Sequence, residues 1–252
     1  MNIRAFMKNH FKHFNAAVCV DAAEGYRDFL AQSGKMLVSL AGAMSTAELG
    51  ISLAEMIRKD KVHAISCSGA NLEEDIFNLV AHTHYLRLPE YRNLSKKEEE
   101  KLLKQGFNRV TDTCIPEDTA IRRIEEEMLA LWKAAEKEDK RFFPYEFIYQ
   151  LLDQPSIRKS FEIEPKHSWV LAAKEKQLPI FSPGWEDSTL GNVFVSRVIR
   201  GDLKNYQTVK SGPEQMALLV DWYRRECKSH ALGFFQIGGG LRGILPFVWC
   251  HC

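Results

Sequence analysis

The sequence predicts an α/β protein with a Rossmann-like, doubly wound and mostly parallel sheet that carries helices on both faces. The order strand, small-residue turn, helix occurs twice in succession, at residues 36–59 and 61–78. Such consecutive units build parallel sheets covered by helices. Short apolar runs, which are typical of strands buried on both faces, recur at residues 178–181 and 233–237.

The first unit follows a helix predicted over residues 20–32. Its strand covers residues 36–40, and its turn is the small-residue segment AGAMST at residues 41–46. The helix predicted at residues 47–59 places Leu49 and Leu53 on one apolar face. Ligands of such sheets bind at the carboxyl ends of the strands, which here lead into the turn.

The second unit has the sequence KVHAISCSGANLEEDIFN. After a short apolar strand, the turn at residues 66–70 has no bulky side chain, and Asn71 is predicted to cap the next helix. Glu73, Glu74 and Asp75 would then lie in the first helical turn, where the helix dipole favours acids. The turn amides suit a phosphate, and the carboxylates suit a ribose hydroxyl or an amine. The alternative is that these acids only stabilise the start of the helix.

The rest of the chain is predicted to be mainly helical. Ser95 and Glu98 fit a capping box that opens a helix ending at Gln105. Further helices are expected at residues 117–140, 144–154, 168–177, 189–200 and 213–229, and strands at residues 178–181 and 233–237. Asp187 lies in a loop at residues 182–188. Because no linker rich in Pro, Gly or Ser interrupts residues 1–252, we expect a single domain.

Composition excludes several classes of function. The formal charge of +1 gives no reason to expect nucleic acid or an acidic membrane surface as a partner. The chain shows no secretory signal and no run of about 18 apolar residues. We interpret the six cysteines as reduced thiols of a cytoplasmic protein. His82 and His84, and the segment at residues 250–252, could suggest a metal, but they lack further ligands at suitable spacing, so no metal is predicted.

Five segments in order resemble the deoxyhypusine synthase family, and are most similar to its bacterial deoxyhypusine synthase-like branch. They are AGAMSTAELG (41–50), SGANLEED (68–75), GFNRV with IPED (106–118), FSPGWEDSTLGN (181–192) and FFQIGGG (234–240). The resemblance extends from about residue 34 to residue 240. Each motif is weak alone, but the set in this order is specific.

The resemblance implies a Rossmann-like fold, bound NAD and a homotetramer with active sites at subunit interfaces. The family reaction oxidises spermidine with NAD and transfers its aminobutyl group, through an imine on an enzyme lysine, to an acceptor amine. The acceptor is a lysine of a translation factor in deoxyhypusine synthase proper and putrescine in homospermidine synthase relatives. The resemblance therefore implies a transferase that acts on a polyamine or diamine.

Site residues follow from the resemblance position by position. The residues matched to NAD contacts are Gly42, Ala43, Met44, Ser45, Cys67, Ser68, Gly69, Glu74 and Asp187. The residues matched to polyamine contacts are Glu73, Glu74, Asn192 and Gly239.

Three departures from the family pattern affect the expected activity. Asn192 replaces the polyamine-binding aspartate, and LRGILPF after the triple glycine has no counterpart of the family's basic histidine. The nucleophilic lysine of the family lies in a segment beyond the end of this sequence, so no catalytic residue is assigned. Residues 241–252 do not resemble the family, which predicts that the C-terminal part of the sheet is missing and suggests a reading-frame change or truncation.

Three hypotheses about function remain open. The chain is an NAD-dependent aminobutyl transferase, a catalytically inactive NAD-binding subunit that assembles with a complete paralogue, or a truncated product without function. Turnover of an amine with NAD would favour the transferase. A full-length relative encoded in the same genome would favour the inactive subunit, and insolubility on expression would favour the truncated product.

Overall fold

The computed structural model describes residues 2–239. The α-helices are α1 (Ile3–His10), α2 (Phe14–Ala31), α3 (Gly50–Arg58), α4 (Gly69–Ala81), α5 (Lys96–Lys104), α6 (Arg123–Lys137), α7 (Pro144–Leu151), α8 (Pro155–Lys159), α9 (Trp169–Glu175), α10 (Thr189–Ile199) and α11 (Gly212–Glu226). The strands are β1 (Lys35–Leu40), β2 (Ala64–Cys67), β3 (Leu86–Arg87), β4 (Phe107–Val110), β5 (Thr113–Pro116), β6 (Ile180–Phe181) and β7 (Leu232–Ile237).

The central sheet has four strands in the order β6-β2-β1-β7, and every pair is parallel. These are the four strands expected from the sequence, so the predicted α/β fold with a parallel sheet is confirmed. Leu40 of β1 lies level with Cys67 of β2 and Ile237 of β7. The turns that follow these strands therefore leave the sheet at one edge.

Helices cover both faces of the sheet, as predicted. On one face, Leu37 and Phe181 pack with Leu219 and Trp222 of α11. The opposite face belongs to the larger core, which includes side chains of α3, α4 and α9. Burial on both faces explains why the strands are apolar runs rather than alternating ones.

A second sheet, antiparallel and ordered β3-β5-β4, was not predicted. The loop between β4 and β5 consists of Thr111 and Asp112, and Thr111 adopts a φ of 57°. Two-residue hairpin loops usually carry Asn-Gly or Asp-Gly at such positions. Because Thr-Asp replaces those pairs, the sequence lacks the usual signal for the hairpin.

Two predicted helix boundaries were wrong. Ser68, not Asn71, is the N-cap of α4, since its hydroxyl accepts from the Asn71 N–H. The three acids therefore lie beyond the first turn, which contains no acidic residue. The helix predicted at residues 117–140 is divided into a π-helical segment, Glu117–Arg122, followed by α6.

Some expectations lie outside the described residues. These are the atypical tail at residues 241–252, the missing C-terminal part of the sheet and the thiols of Cys250 and Cys252. Within residues 2–239, no helix combines the length and apolar content needed to cross a membrane.

Candidate functional site

Direct hydrogen bonds join the turns that follow β1 and β2. The Ser68 hydroxyl and the side-chain amide of Asn71 each donate to the Gly42 carbonyl oxygen, both at 2.6 Å. The Ser45 N–H donates to Asn71 Oδ1 at 3.0 Å, and the Ser45 hydroxyl donates to the Asn71 carbonyl at 2.7 Å. The first turn is thus held against the N-terminus of α4.

Glycines leave bare backbone at this edge of the sheet. Gly42 has a φ of 63°, and a Cβ placed there would meet nothing within 4 Å. Gly238, after β7, has a φ of 82°, and its Cβ would lie 3.2 Å from Met44 Cε. Among residues 2–239, no atom lies within 4 Å of a Cβ placed at Gly239. The turns after β1, β2 and β7 together form a surface that we call the cradle, defined as residues 41–46, 68–71 and 238–239.

The loop after β6 reaches the cradle through a close backbone approach at Gly69. A Cβ at Gly69 would lie 2.6 Å from Ser188 Cβ, so only glycine allows this contact. Ser188 is the N-cap of α10, and its hydroxyl accepts from the Gly191 N–H at 3.0 Å. The start of α10 is therefore packed against the start of α4.

Glu73 is buried, and its carboxylate holds the N-terminus of α10. The backbone N–H groups of Thr189 and Leu190 donate to its two oxygens, each at 2.8 Å. Burial raises the pKa of Glu73 to about 7, although these hydrogen bonds oppose the rise. The residue matched to a polyamine contact thus also has a structural role.

Glu74 and Asp75 are buried beside it with different partners. Glu74 accepts from the Thr46 N–H of the cradle at 3.4 Å, and burial raises its pKa. Asp75 accepts from the Ser168 hydroxyl and from the Val170 N–H at the start of α9. Burial raises the pKa of Asp75 to about 6. Asp75 therefore anchors a helix, whereas Glu74 lies against the proposed cofactor turn.

A polar groove of about 570 Å³ runs along α10. Its residues are Asn108, Glu117, Ile121, Arg122, Glu125, Asp187, Ser188, Thr189, Asn192, Val193, Ser196 and Arg200. Two sequence-predicted site residues, Asp187 and Asn192, lie here, and both are exposed. The Asn192 side-chain amide donates to the Ser188 carbonyl at 2.7 Å.

The structure brings most of the predicted site residues to one edge of the molecule. Gly42, Ala43, Met44, Ser45, Ser68, Gly69 and Gly239 lie in the cradle, with Glu73 and Glu74 on the adjoining helix. Cys67, by contrast, is fully buried as the last residue of β2.

Sequence reasoning missed the opposite wall of the groove. Glu117, Arg122 and Glu125 belong to a segment predicted to be an ordinary charged helix with a solvated face. Their only signal was the IPED motif, which places Glu117 immediately after β5.

The two histidines considered for metal binding face different acids. His82 Nδ1 lies 3.2 Å from Glu48 Oε1 and 2.7 Å from the amide oxygen of Asn78. His84 Nδ1 lies 3.1 Å from Glu162 Oε1. The described part of the chain contains no group of three or more His, Cys, Asp or Glu residues that could hold a metal ion.

Comparison with known proteins gives a family-level match. A family model described as deoxyhypusine synthase matches residues 5–242. The chain is 23% identical over 212 residues to "Probable deoxyhypusine synthase 2" of Archaeoglobus fulgidus, which covers 82% of this chain and 60% of that protein. It is 24% identical over 210 residues to "Deoxyhypusine synthase-like protein" of Chlorobaculum parvum, covering 82% and 54% of the two chains.

The aligned proteins are longer than this chain. The chain spans about 60% of the length of the first curated relatives that it matches. A crystal structure of "a putative deoxyhypusine synthase" from Entamoeba histolytica aligns with 14% identity and a TM-score of 0.48, covering 82% of this chain and 58% of that one.

Proposed function

The chain belongs to the deoxyhypusine synthase family, and from that premise we propose that it binds NAD in the cradle and transfers an aminobutyl-type group from a polyamine to an acceptor amine. The observation that carries the proposal is the meeting of three glycine-containing turns at the carboxyl ends of adjacent parallel strands. In parallel α/β sheets this edge is where dinucleotides bind.

The residues of the cradle suit a dinucleotide. Open space beyond Gly42 lets a pyrophosphate approach the backbone without meeting a side chain. The N-terminus of α4 presents amide groups and the positive end of a helix dipole to the same place. No hydrogen bond within residues 2–239 uses the N–H groups of Gly69 and Ala70, which supports a role in binding an anion.

Acidic residues around the cradle suit the ribose of NAD and the ammonium groups of a polyamine. Asp187, in the loop after β6, would accept hydrogen bonds from a ribose hydroxyl. Glu74 is buried against the turn after β1 and would pair with an ammonium group of the polyamine. An ammonium group beside Glu74 would favour its ionised form and so reverse part of the rise in its pKa.

When bound, NAD supplies a hydride acceptor for oxidation of the carbon next to an amine. The chain's contribution in this proposal is to hold the cofactor, to bind the cationic amine and to bury their contact with Glu74. None of the residues that line the groove is a lysine, so we assign no imine-forming nucleophile among them.

The proposal includes assembly and location. Because the chain belongs to this family, we propose that it forms a homotetramer with the amine site near a subunit interface. We also propose a cytoplasmic location, because three of the cysteines, Cys19, Cys114 and Cys227, are not in disulfides. Native mass spectrometry of the purified chain tests the assembly.

The activity is tested by incubating the purified protein with NAD and spermidine. Transfer of the aminobutyl group leaves 1,3-diaminopropane, which mass spectrometry detects directly. We expect release of this diamine that requires NAD and increases when putrescine is added as acceptor. Glu74→Gln should lower release at least tenfold, because it removes the charge that pairs with the amine, whereas the exposed Glu126→Gln should not change it. NAD binding without diamine release would instead favour a non-catalytic NAD-binding subunit.

A further inference from the structure

Three carboxylates beside the cradle have no lysine or arginine as a partner. Glu74 and Asp75 are buried on α4, and Glu48 lies two residues beyond the turn after β1. In the described part of the chain, neither lysine nor arginine forms an ion pair with any of the three. Asp75 is held by the start of α9. Glu74 accepts from the Thr46 N–H at 3.4 Å, which is long for such a bond, so this carboxylate retains the capacity to bind a cation.

The phenol of Tyr85 reaches the same carboxylates from the segment that follows α4. Its ring packs against the main core and lies 6.4 Å from the His82 ring, measured between centroids. His82 in turn contacts Glu48, with 3.2 Å between Nδ1 and Oε1. Burial raises the pKa of Tyr85, and the three carboxylates raise it further. The phenol oxygen therefore lies in the field of all three acids.

The Tyr85 hydroxyl is buried and has no hydrogen-bond partner among residues 2–239. Native proteins satisfy nearly all buried polar groups, so an unpaired one requires an explanation. A phenol oxygen can accept a hydrogen bond, and an ammonium group has N–H groups to donate together with a positive charge. An unpaired acceptor beside carboxylates without a cation thus matches an ammonium ligand in both respects.

We propose that Tyr85 is a further binding residue of the amine site, and that its hydroxyl accepts an N–H of the ammonium group that pairs with Glu74. The inference rests on the proposed function, because it adds a residue to the site proposed there. The site then takes a primary or secondary ammonium, which has N–H groups to donate. The negative charge of Glu48 strengthens its attraction for the cation.

The variant Tyr85→Phe tests this role, because it removes only the oxygen and leaves the ring in the core. Isothermal titration calorimetry measures the binding of NAD, and of spermidine in the presence of NAD, to the wild type and the variant. We expect Tyr85→Phe to bind spermidine about tenfold more weakly, the size of one hydrogen bond to a charged group, and to bind NAD within about twofold of the wild type.

The matched control is Tyr26→Phe. The Tyr26 hydroxyl donates to the Lys61 carbonyl at 2.6 Å, before the start of β2 and so at the edge of the sheet opposite the cradle. This variant should bind spermidine and NAD as the wild type does. Without ligands the order reverses. Tyr26→Phe loses a hydrogen bond and should have a lower Tm, whereas Tyr85→Phe removes an unpaired hydroxyl and should be at least as stable as the wild type.

The outcomes separate this inference from the proposed function. Unchanged spermidine binding by Tyr85→Phe, or equal weakening by both variants, would overturn the inference and leave the proposed function intact. A lower Tm of Tyr85→Phe without ligands would also overturn it, because the hydroxyl would then have a structural bond. Failure of the wild type to bind spermidine would overturn the inference together with the amine part of the proposed function.

Discussion

The side-chain amide of Asn71 donates to the carbonyl oxygen of Gly42 at 2.6 Å, joining the helix after β2 to the turn after β1. Asn71 is fully buried, and its Oδ1 accepts from the Ser45 N–H of the same turn. One side chain therefore satisfies a carbonyl and an amide of the cradle. The shape of the proposed cofactor site depends on this residue.

Replacing Asn71 with alanine should destabilise the chain and loosen the cradle. The substitution leaves the Ser45 N–H without its acceptor and removes one of the two donors to the Gly42 carbonyl, which keeps the Ser68 hydroxyl. We expect the free energy of unfolding to fall by about 2 kcal/mol. Urea denaturation of the two proteins measures this loss. The control is Asn93→Ala, where the exposed amide bonds only Glu90 and the change should be within about 0.5 kcal/mol. Equal effects of the two substitutions would contradict the role assigned to Asn71.

Stability should depend on pH through Glu73. Its folded-state pKa of about 7 exceeds the ordinary glutamate pKa of 4.5, so the folded chain holds the proton more tightly than the unfolded chain. Between about pH 4.5 and 7 the unfolded chain binds fewer protons, and the free energy of unfolding therefore decreases as pH rises. The full contribution is on the order of 3 kcal/mol.

Comparison with Glu73→Gln isolates this contribution, because glutamine does not titrate. His63, whose pKa is lowered by burial, acts in the opposite direction in both proteins and cancels in the difference. We expect the stability of the wild type relative to the variant to decrease from pH 5 to about pH 7 and to level off above it. A relative stability that rises over this range would show that the Glu73 carboxyl is ionised in the folded chain.

Glu125 should contribute more to the free energy of unfolding than the exposed Glu126 beside it. Its side chain is 4% exposed and bridges Arg122 and Arg197, which link α6 to α10. Glu125→Ala should lower the free energy of unfolding by about 2 kcal/mol, less than for a fully buried pair because both arginines remain partly solvated. Glu126→Ala removes an exposed carboxylate from the same helix and should change stability little. Thermal denaturation of both variants decides whether the bridge contributes.

The central sheet could be predicted from the sequence because its strands are short apolar runs followed by small-residue turns. Both signals are local. Strands β1 and β2 lead into the turns that were expected to bind a cofactor, and β7 leads into the glycines that were expected to lie beside the polyamine. The motifs fall in turns that the structure brings together, because the carboxyl ends of parallel strands meet at one edge.

Other features could not be predicted because they depend on contacts distant in sequence. The acids of α4 were expected to contact a ligand or, in the alternative, to stabilise their own helix. In the structure, Glu73 and Asp75 hold the N-termini of α10 and α9, about a hundred residues away. The groove was missed for the same reason, since Arg122 and Arg197 meet only through Glu125. The β4–β5 hairpin was missed because its turn, Thr111-Asp112, lacks the usual glycine.

Calorimetric titration of NAD into the wild type, Gly42→Ala and Gly201→Ala tests the central claim most directly. Both glycines have a positive φ and open space beyond them, so alanine imposes a similar backbone cost of about 1 kcal/mol at each. Only Gly42 lies in the cradle, where a Cβ would meet the pyrophosphate. We predict that NAD binds the wild type and Gly201→Ala with similar affinity and Gly42→Ala at least tenfold more weakly. Failure of the wild type to bind NAD, or equal binding by all three proteins, would contradict the account.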